Sequence, residues 1–172
     1  MNKFTDHRDG QTYKTVELAG KTWLAENLNY DIGYGCYYYE KKSGLFGLGK
    51  KEIIKGQGKL YTWDAALRAC PDGWKIPSDK DWKELIDFLG IENNNKAYEI
   101  LRVGGSSGLD VLLAGWRPTG GRFYNLGITA YFWTSTDEED GAFNYEFGPY
   151  GGSYYRYFVY KTAAYSVRCI KI

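Results

Sequence analysis

The side chains that most often carry catalysis are scarce in this chain. Its single histidine, His7, lies in a polar leading segment, where we expect a solvated surface position. A hydrolase with a serine or cysteine nucleophile needs a base within hydrogen-bond reach of that nucleophile. The sequence therefore argues against a nucleophilic triad, and we assign no catalytic residue.

Four adjacent acidic residues, Asp137, Glu138, Glu139 and Asp140, offer two other kinds of chemistry. Paired carboxylates can carry acid–base catalysis, and carboxylate oxygens are ligands that calcium takes. Adjacent acids between predicted strands are more typical of a solvated turn. We therefore expect no cofactor, and we keep Asp137, Glu138 and Asp140 as the calcium candidates.

Aromatic residues are the strongest compositional signal, with 17 Tyr, 6 Trp and 8 Phe beside 22 Gly. Amphipathic rings on glycine-rich loops give contact area at low entropic cost and are used to bind sugars and proteins. They concentrate in FNYEFGPYGGSYYRYFVY, residues 143–160, and GCYYYE at 35–40 adds to them. The candidate ligand-binding residues are Tyr145, Tyr150, Tyr154, Tyr155, Arg156 and Tyr157.

Strand periodicity divides these candidates between two faces. If residues 153–160 form a strand, Tyr154 and Arg156 share one face, whereas Tyr155 and Tyr157 share the other. Both faces cannot be core in a two-layer domain, so we expect one of them to be exposed. A cross-strand aromatic ladder that only stabilises a hairpin remains an open alternative.

Length and charge restrict the class of protein. The 172 residues fit one domain, 1–172, and the 22 basic and 21 acidic residues give a net charge of +1 without a basic cluster. The charge pattern therefore argues against a nucleic-acid partner, because binding nucleic acid needs concentrated positive charge. No apolar run is long enough to span a membrane, and MNKFTDHRDG is no signal peptide, so an exported domain would have lost its signal.

Local patterns predict strands at both ends and helices in the middle. YKTVEL and KTWLAENL form a hairpin about Ala19–Gly20, and residues 31–59 form a long loop with at most short strands. LYTWDAALRACPDG is a helix with a buried stripe, and PSDKDWKELIDFLG is a helix capped by Ser78 and Asp81. The stripe of the first helix comprises Trp63, Ala66, Leu67 and Cys70.

A third, shorter helix is predicted over residues 96–103, and short antiparallel strands follow from residue 109 onward. This order indicates an α+β fold with two main helices packed on short antiparallel strands and the chain ends close together. We expect a core built on six residues: Trp63, Trp74, Trp82, Leu85, Trp116 and Trp133.

Four long blocks carry a family resemblance. DGQTYKTVELAGKTWLAENLNY, KLYTWDAALRACPDGWKIPSDKDWKELIDFLG, GWRPTGGRFYNLGITAYFWTST and AYSVRCIKI stand in this order. In sequence and order they resemble the signature blocks of the Fibrobacter succinogenes major paralogous domain. The resemblance implies a C-type-lectin-like fold, shared with formylglycine-generating enzymes, and an extracellular or cell-surface location. It implies fold more strongly than function.

The same resemblance bears on the cysteines. Cys70 and Cys169 match the family blocks RACPDGW and SVRC, which implies a disulfide, while two buried free thiols remain the alternative. Cys36 has no local partner before Cys70, so we expect a free thiol. A formylglycine-generating oxidase holds copper with two nearby cysteines late in the chain, and only Cys169 lies there.

These observations favour a non-catalytic cell-surface or secreted binding module. Its ligand is expected to be a glycan or a protein, contacted through Tyr-rich loops in the C-terminal half. A structural or adhesive domain of a larger surface protein or fibre is the alternative. An enzyme related to the formylglycine-generating oxidases is the third reading, and the missing cysteine pair argues against it. The calcium motifs of true lectins are also absent.

Overall fold

A computed structural model describes residues 2–42, 50–91, 96–149 and 154–172. Strands take up 42% of it and helices 14%, so the protein is mostly β with curled sheets. In chain order the elements are β1 (Asn2–Thr5), β2 (Thr12–Leu18), β3 (Lys21–Leu24), β4 (Cys36–Tyr37), β5 (Tyr39–Lys42), β6 (Lys51–Ile54), β7 (Leu60–Thr62), α1 (Trp63–Ala69), β8 (Trp74–Lys75), α2 (Asp79–Phe88), α3 (Ala97–Leu101), β9 (Ala114–Trp116), β10 (Tyr124–Leu126), β11 (Ala130–Glu138), β12 (Gly141–Phe147), β13 (Tyr154–Val159), β14 (Ala164–Ser166) and β15 (Ile170–Lys171).

The predicted α+β fold with two main helices packed on strands is wrong. The three helices have seven, ten and five residues, and most of the chain between and around them is in sheets. Many strands have only two to four residues, too few for an alternating pattern to be seen in the sequence. The helical periodicity was therefore the clearer signal, and it overstated the helical share.

The two main predicted helices are present as α1 and α2, but the buried side predicted for α1 is partly wrong. α2 begins with the predicted capping box, in which Ser78 Oγ accepts from Asp81 N and the Asp81 carboxylate accepts from Ser78 N. In α1 the buried side is formed by Trp63, Ala65, Ala66 and Ala69. Leu67, predicted to be buried, is 45% exposed, because the small alanines allow the helix to pack closely on that side.

One five-stranded sheet contains both chain ends, in the order β1-β2-β3-β15-β8. The predicted hairpin joins β2 and β3, and Ala19 and Gly20 both have positive φ angles, 51° and 71°. That conformation is the one a two-residue turn needs to match the strand twist. β15 pairs with β3 through Ile170 and Trp23, so the last strand lies beside the third and not beside the first.

A second sheet has the order β10-β9-β11-β14-β7-β4, and β12 and β13 continue from β11 as an antiparallel extension. The C-terminal segment AYSVRCIKI is divided between the two sheets as β14 and β15. In the predicted 31–59 loop, β5 and β6 form a separate hairpin. Residues 43–49 of that loop lie outside the described residues.

The predicted core is largely confirmed. Trp63, Trp74, Trp82, Leu85 and Trp133 are all less than 9% exposed, whereas Trp116 is only partly buried. Trp23, which was not among the predicted residues, is fully buried and packs edge-on against Trp82 at 5.2 Å between ring centroids.

The predicted disulfide between Cys70 and Cys169 is present, with Cα atoms 6.1 Å apart and a separation of 99 positions in sequence. It joins the end of α1 to the segment between β14 and β15. Cys36 is a buried free thiol, as expected. Burial raises the pKa of its side chain.

Arg168 lies at the junction of the two sheets and is fully buried. Its guanidinium donates to the carbonyl oxygens of Leu24, Leu109 and Asp110 at 3.1, 2.6 and 3.0 Å. Nε donates to Asn27 Oδ1 at 2.9 Å. Burial lowers its pKa to about 9, which keeps the group charged at neutral pH. One side chain therefore ties together three segments that are distant in sequence.

Replacing Arg168 tests how much its side chain contributes to the stability of the fold. Arg168→Ala is expected to lower the free energy of unfolding by about 3–5 kcal/mol, because a cavity forms and buried carbonyl groups lose their donors. Arg168→Lys should recover only part of the loss, since an ammonium lacks the planar fork. Urea unfolding measures both, with the exposed Arg122→Ala as control. Equal stability of the Arg168→Ala variant and the wild-type protein would contradict the assignment.

The disulfide gives a separate stability prediction. A double Cys70→Ala/Cys169→Ala variant should lose up to about 4–5 kcal/mol, because the unfolded chain regains the freedom of a loop of this length. Thermal unfolding of the variant, compared with Cys36→Ala, measures the effect. If the Cys36 variant lost as much stability as the double variant, the bridge would not be the cause.

Candidate binding site

β11, β12 and β13 form a three-stranded antiparallel ribbon, and its two faces have different environments. On one face, Phe132, Tyr145 and Phe147 pack against Trp82 of α2, with ring centroids 5.4 to 5.7 Å away. Alternate residues of the same strands point to the opposite side, away from α2. That opposite side is called the open face below, and it carries Tyr131, Trp133, Asn144, Glu146, Tyr155 and Tyr157.

Two predicted ligand contacts belong to the α2 side and have structural partners. Tyr145 is fully buried, and its hydroxyl donates to Asp79 Oδ1 at 3.0 Å. Arg156 forms an ion pair with Asp79 and lies 3.5 Å from the ring centroid of Phe143. Burial acts to raise the pKa of Asp79, but hydrogen bonds from Arg156, Lys83 and Tyr145 lower it overall. The prediction that Tyr145 contacts a ligand is therefore incompatible with its burial.

The remaining candidates are divided between the faces. Tyr154 is partly buried on the α2 side and stacks on Tyr145 at 5.9 Å between ring centroids. Tyr155 and Tyr157 lie on the open face and are 44% and 47% exposed. Their rings are near-parallel, with centroids 5.9 Å apart and 14° between the planes. Tyr150 lies outside the described residues.

The strand register builds two rows of residues across the open face. Tyr131, Glu146 and Tyr155 are direct neighbours in one row. Trp133, Asn144 and Tyr157 form the next. Directly opposite residues on one face have Cβ atoms about 5 Å apart. Each row therefore places a polar side chain between two aromatic rings.

The β11 ends of both rows are buried, and the β13 ends are half-exposed. Tyr131 and Trp133 are 7% and 1% exposed because Tyr165 of β14 packs on both, at 5.4 and 4.6 Å between ring centroids. Trp116 extends this cover, 6.0 Å from Tyr131. Among the described residues the edge strand β13 has no such cover, so the face is open where Tyr155 and Tyr157 lie.

Glu146 and Asn144 are the polar centre of the open face. Asn144 is fully buried, and its Nδ2 donates to Glu146 Oε1 at 3.2 Å. Its Oδ1 is buried without a hydrogen-bond partner among the described residues. Burial raises the pKa of Glu146, opposed by the hydrogen bond from Asn144. Burial also raises the pKa of Tyr165, and the nearby charge of Glu146 adds to the effect.

A groove of about 800 Å³ adjoins this face beyond Val159. Trp116 and Tyr165, which pack beside Tyr131, form part of its wall. Most of its wall is apolar, and the exposed Tyr160 stands at its rim with 75% of its surface open. The groove is lined by Trp116, Pro118, Thr119, Asp140, Phe158, Val159, Tyr160, Ala163 and Tyr165.

The acidic run covers the solvated end of β11 and the turn that leads to β12. Asp137, Glu138, Glu139 and Asp140 are exposed, and Asp137 forms an ion pair with Lys161. Within the described parts of the chain, no three His, Cys, Asp or Glu side chains are grouped so that they could hold a metal ion. The calcium candidates Asp137, Glu138 and Asp140 are therefore not carried further.

Sequence analysis missed the polar members of the site. Asn144 and Glu146 alternate with aromatic residues in FNYEF, which places them on one strand face. That alternation could have identified them, because two polar residues at i and i+2 inside an aromatic strand lie on one face and need hydrogen-bond partners. The position of Tyr131 opposite Glu146 depends on the register of β11 and β12, which the sequence does not contain.

The fold and this surface together define a mostly β domain with an open aromatic face. A family model described as the Fibrobacter succinogenes major domain matches residues 16–171. The chain therefore belongs to that family. No curated protein and no solved structure matches the chain, so the C-type-lectin-like fold implied by the resemblance is not confirmed. In the described residues, no helix is both long and apolar enough to cross a lipid bilayer.

The raised pKa of Glu146 gives a pH-dependent prediction. A carboxyl whose pKa is raised by folding stabilises the fold when protonated, and this stability is lost as pH rises from about 4.3 through the folded value. Glu146→Gln removes that loss. The melting temperature of the variant, relative to wild type, should therefore rise between pH 4 and pH 7. Calorimetry at several pH values measures it, with the exposed Glu139→Gln as control. A relative fall at pH 7 would show instead that a partner stabilises the Glu146 carboxylate.

Proposed function

We infer that this chain is a non-catalytic binding domain of an extracytoplasmic protein and that it binds carbohydrate on the open face. The observation that carries the inference is the pair of near-parallel, half-exposed rings of Tyr155 and Tyr157 beside a carboxylate and an amide. Sugar recognition combines apolar ring surface with a few fixed polar groups, and a wall of this type supplies both.

The adjoining groove supports a ligand longer than one sugar ring. Its volume of about 800 Å³ is in the range of sites that enclose extended small ligands. Trp116, Val159 and Tyr165 connect it to the open face. An oligosaccharide lying along the groove would extend past Val159 toward Tyr157, which lies two positions earlier on the same face of β13.

The chemistry of the remaining residues supports a non-catalytic role. His7, the single histidine of the chain, is exposed in the turn after β1. Cys70 and Cys169 are bonded to each other, and Cys36 is buried with a raised pKa, which disfavours a nucleophilic thiolate. The disulfide also supports an extracytoplasmic location, because such bonds persist in oxidising compartments.

A glycan-binding screen tests the proposal. Wild-type protein should bind at least one class of oligosaccharide or polysaccharide, and Tyr155→Ala/Tyr157→Ala should weaken that binding by about 10- to 100-fold, because two contact rings are lost. Tyr34→Ala, which removes a tyrosine that is 88% exposed elsewhere, is the matched control. A chelator should leave binding unchanged.

Two results would contradict the proposal. Binding that survives in the folded double variant would place the site elsewhere, and an absence of binding to every glycan class would reject a carbohydrate ligand. Circular dichroism and melting temperature show whether the double variant is folded. Both tyrosines lie on the edge strand and are half-exposed, so their removal should leave the core intact.

One observation favours a second function, a structural or adhesive domain. Among the described strands β13 pairs only with β12, and it also exposes Phe158, half of whose surface is accessible. An unpaired strand edge can add a strand from another chain. Concentration-dependent self-association in sedimentation, lost when Tyr157 is replaced by Pro but retained in Tyr34→Ala, would support this function over glycan binding.

A further inference from the structure

Glu146 has no cationic partner among the described residues, in contrast to the three buried aspartates of the described chain. Asp6, Asp79 and Asp81 are all less than 9% exposed, and each pairs with Arg or Lys side chains of the same chain. Glu146 is partly buried and receives one side-chain hydrogen bond, from the neutral amide of Asn144. A carboxylate withdrawn from water without a compensating positive charge costs free energy.

The basic side chains of β13 and of the segments around it have other partners. Arg156 is on the neighbouring strand, but it points to the α2 side, where it pairs with Asp79. Lys161 pairs with Asp137, and Arg117 lies over the ring of Tyr37 at 4.0 Å. No basic residue occupies either row of the open face. Within the described residues Glu146 therefore has no ion-pair partner, and a cationic ligand group would supply one.

The aromatic neighbours of Glu146 favour the same kind of ligand group. Tyr131 and Tyr155 flank it in its row, and Tyr157 is its diagonal neighbour in the next. The faces of aromatic rings carry partial negative charge and attract ammonium groups, most strongly where water is excluded. A carboxylate set among tyrosine rings is therefore complementary to an ammonium group with apolar surroundings.

Asn144 holds the Glu146 carboxylate in position to bind an ammonium group. Its amide holds Glu146 Oε1, and it is itself fully buried between Trp133 and Tyr157. The unpartnered Oδ1 of Asn144 is a second uncompensated acceptor in the same place. A partly buried carboxylate that receives one amide hydrogen bond, next to a buried amide oxygen without a donor, indicates a place where a ligand donor completes the site.

We propose that the ligand of the open face carries a protonated amine, and that it is an amino-sugar oligosaccharide with free amino groups. The ammonium binds at Glu146 between Tyr131 and Tyr155, while the sugar rings contact Tyr155 and Tyr157 and continue toward the groove. This proposal rests on the proposed carbohydrate-binding function and specifies the chemical class of its ligand.

Calorimetric titration with three β-1,4-linked hexasaccharides tests the amine directly: the glucosamine hexamer, the N-acetylglucosamine hexamer and the neutral glucose hexamer. Wild-type protein should bind the glucosamine hexamer at least about 10-fold more tightly than the other two, because only that hexamer is charged. Glu146→Gln should remove this preference, and Tyr155→Ala/Tyr157→Ala should weaken binding of all hexamers that bind.

The control is Glu139→Gln, which removes an exposed carboxylate from the β11–β12 turn and should leave the preference unchanged. Binding of the acetylated or neutral hexamer with equal affinity would overturn the amine proposal and leave the carbohydrate function standing. A preference retained in folded Glu146→Gln would overturn the assignment to Glu146. Binding of a lysine-rich peptide that needs Glu146, without binding of any hexamer, would overturn the sugar ligand and the proposed function together.

Discussion

The buried guanidinium of Arg168 determines how the two sheets meet. The C-terminal segment leaves one sheet as β14 and joins the other as β15 within four residues, and Arg168 stands in that crossing. Its acceptors lie at the end of β3, at Asn27 and in the 109–110 segment. With Cys169 bonded to α1 at the next position, this crossing is held in place from both sides. The site depends on it, because β14 carries Tyr165, which covers β11 and leaves β13 open.

Local structure could be predicted from the sequence wherever a short run of neighbouring residues determines it. The capping residues Ser78 and Asp81, the Ala19–Gly20 turn and the aromatic strands after residue 129 need only their own neighbours. The fold class was misjudged because β4, β8 and β15 have two residues each and gain their conformation from sheet partners far along the chain. Arg168 looked like an ordinary strand residue, since nothing local marks a guanidinium whose acceptors are 58 to 144 positions away.

The candidate site was also predictable only where a local pattern was sufficient. Alternation correctly separated Tyr154 and Arg156 from Tyr155 and Tyr157. It could not show which face would meet α2, so Tyr145 was assigned to a surface although it is fully buried. Glu146 could not be recognised as a site residue, because its position between Tyr131 and Tyr155 depends on the strand register. Register is a property of paired strands and cannot be read from one strand.

Asp79 and Glu146 lie on opposite sides of the same ribbon, and only Asp79 has cationic partners there. Asp79 faces the ribbon from α2, and Arg156, Lys83 and Tyr145 satisfy it, so its charge supports the fold. Glu146 is on the other side of the ribbon with one amide donor and a raised pKa, so its charge weakens the fold. A residue that opposes stability persists where function needs it. This contrast, more than the number of exposed tyrosines, is the physical reason to place ligand recognition on the open face.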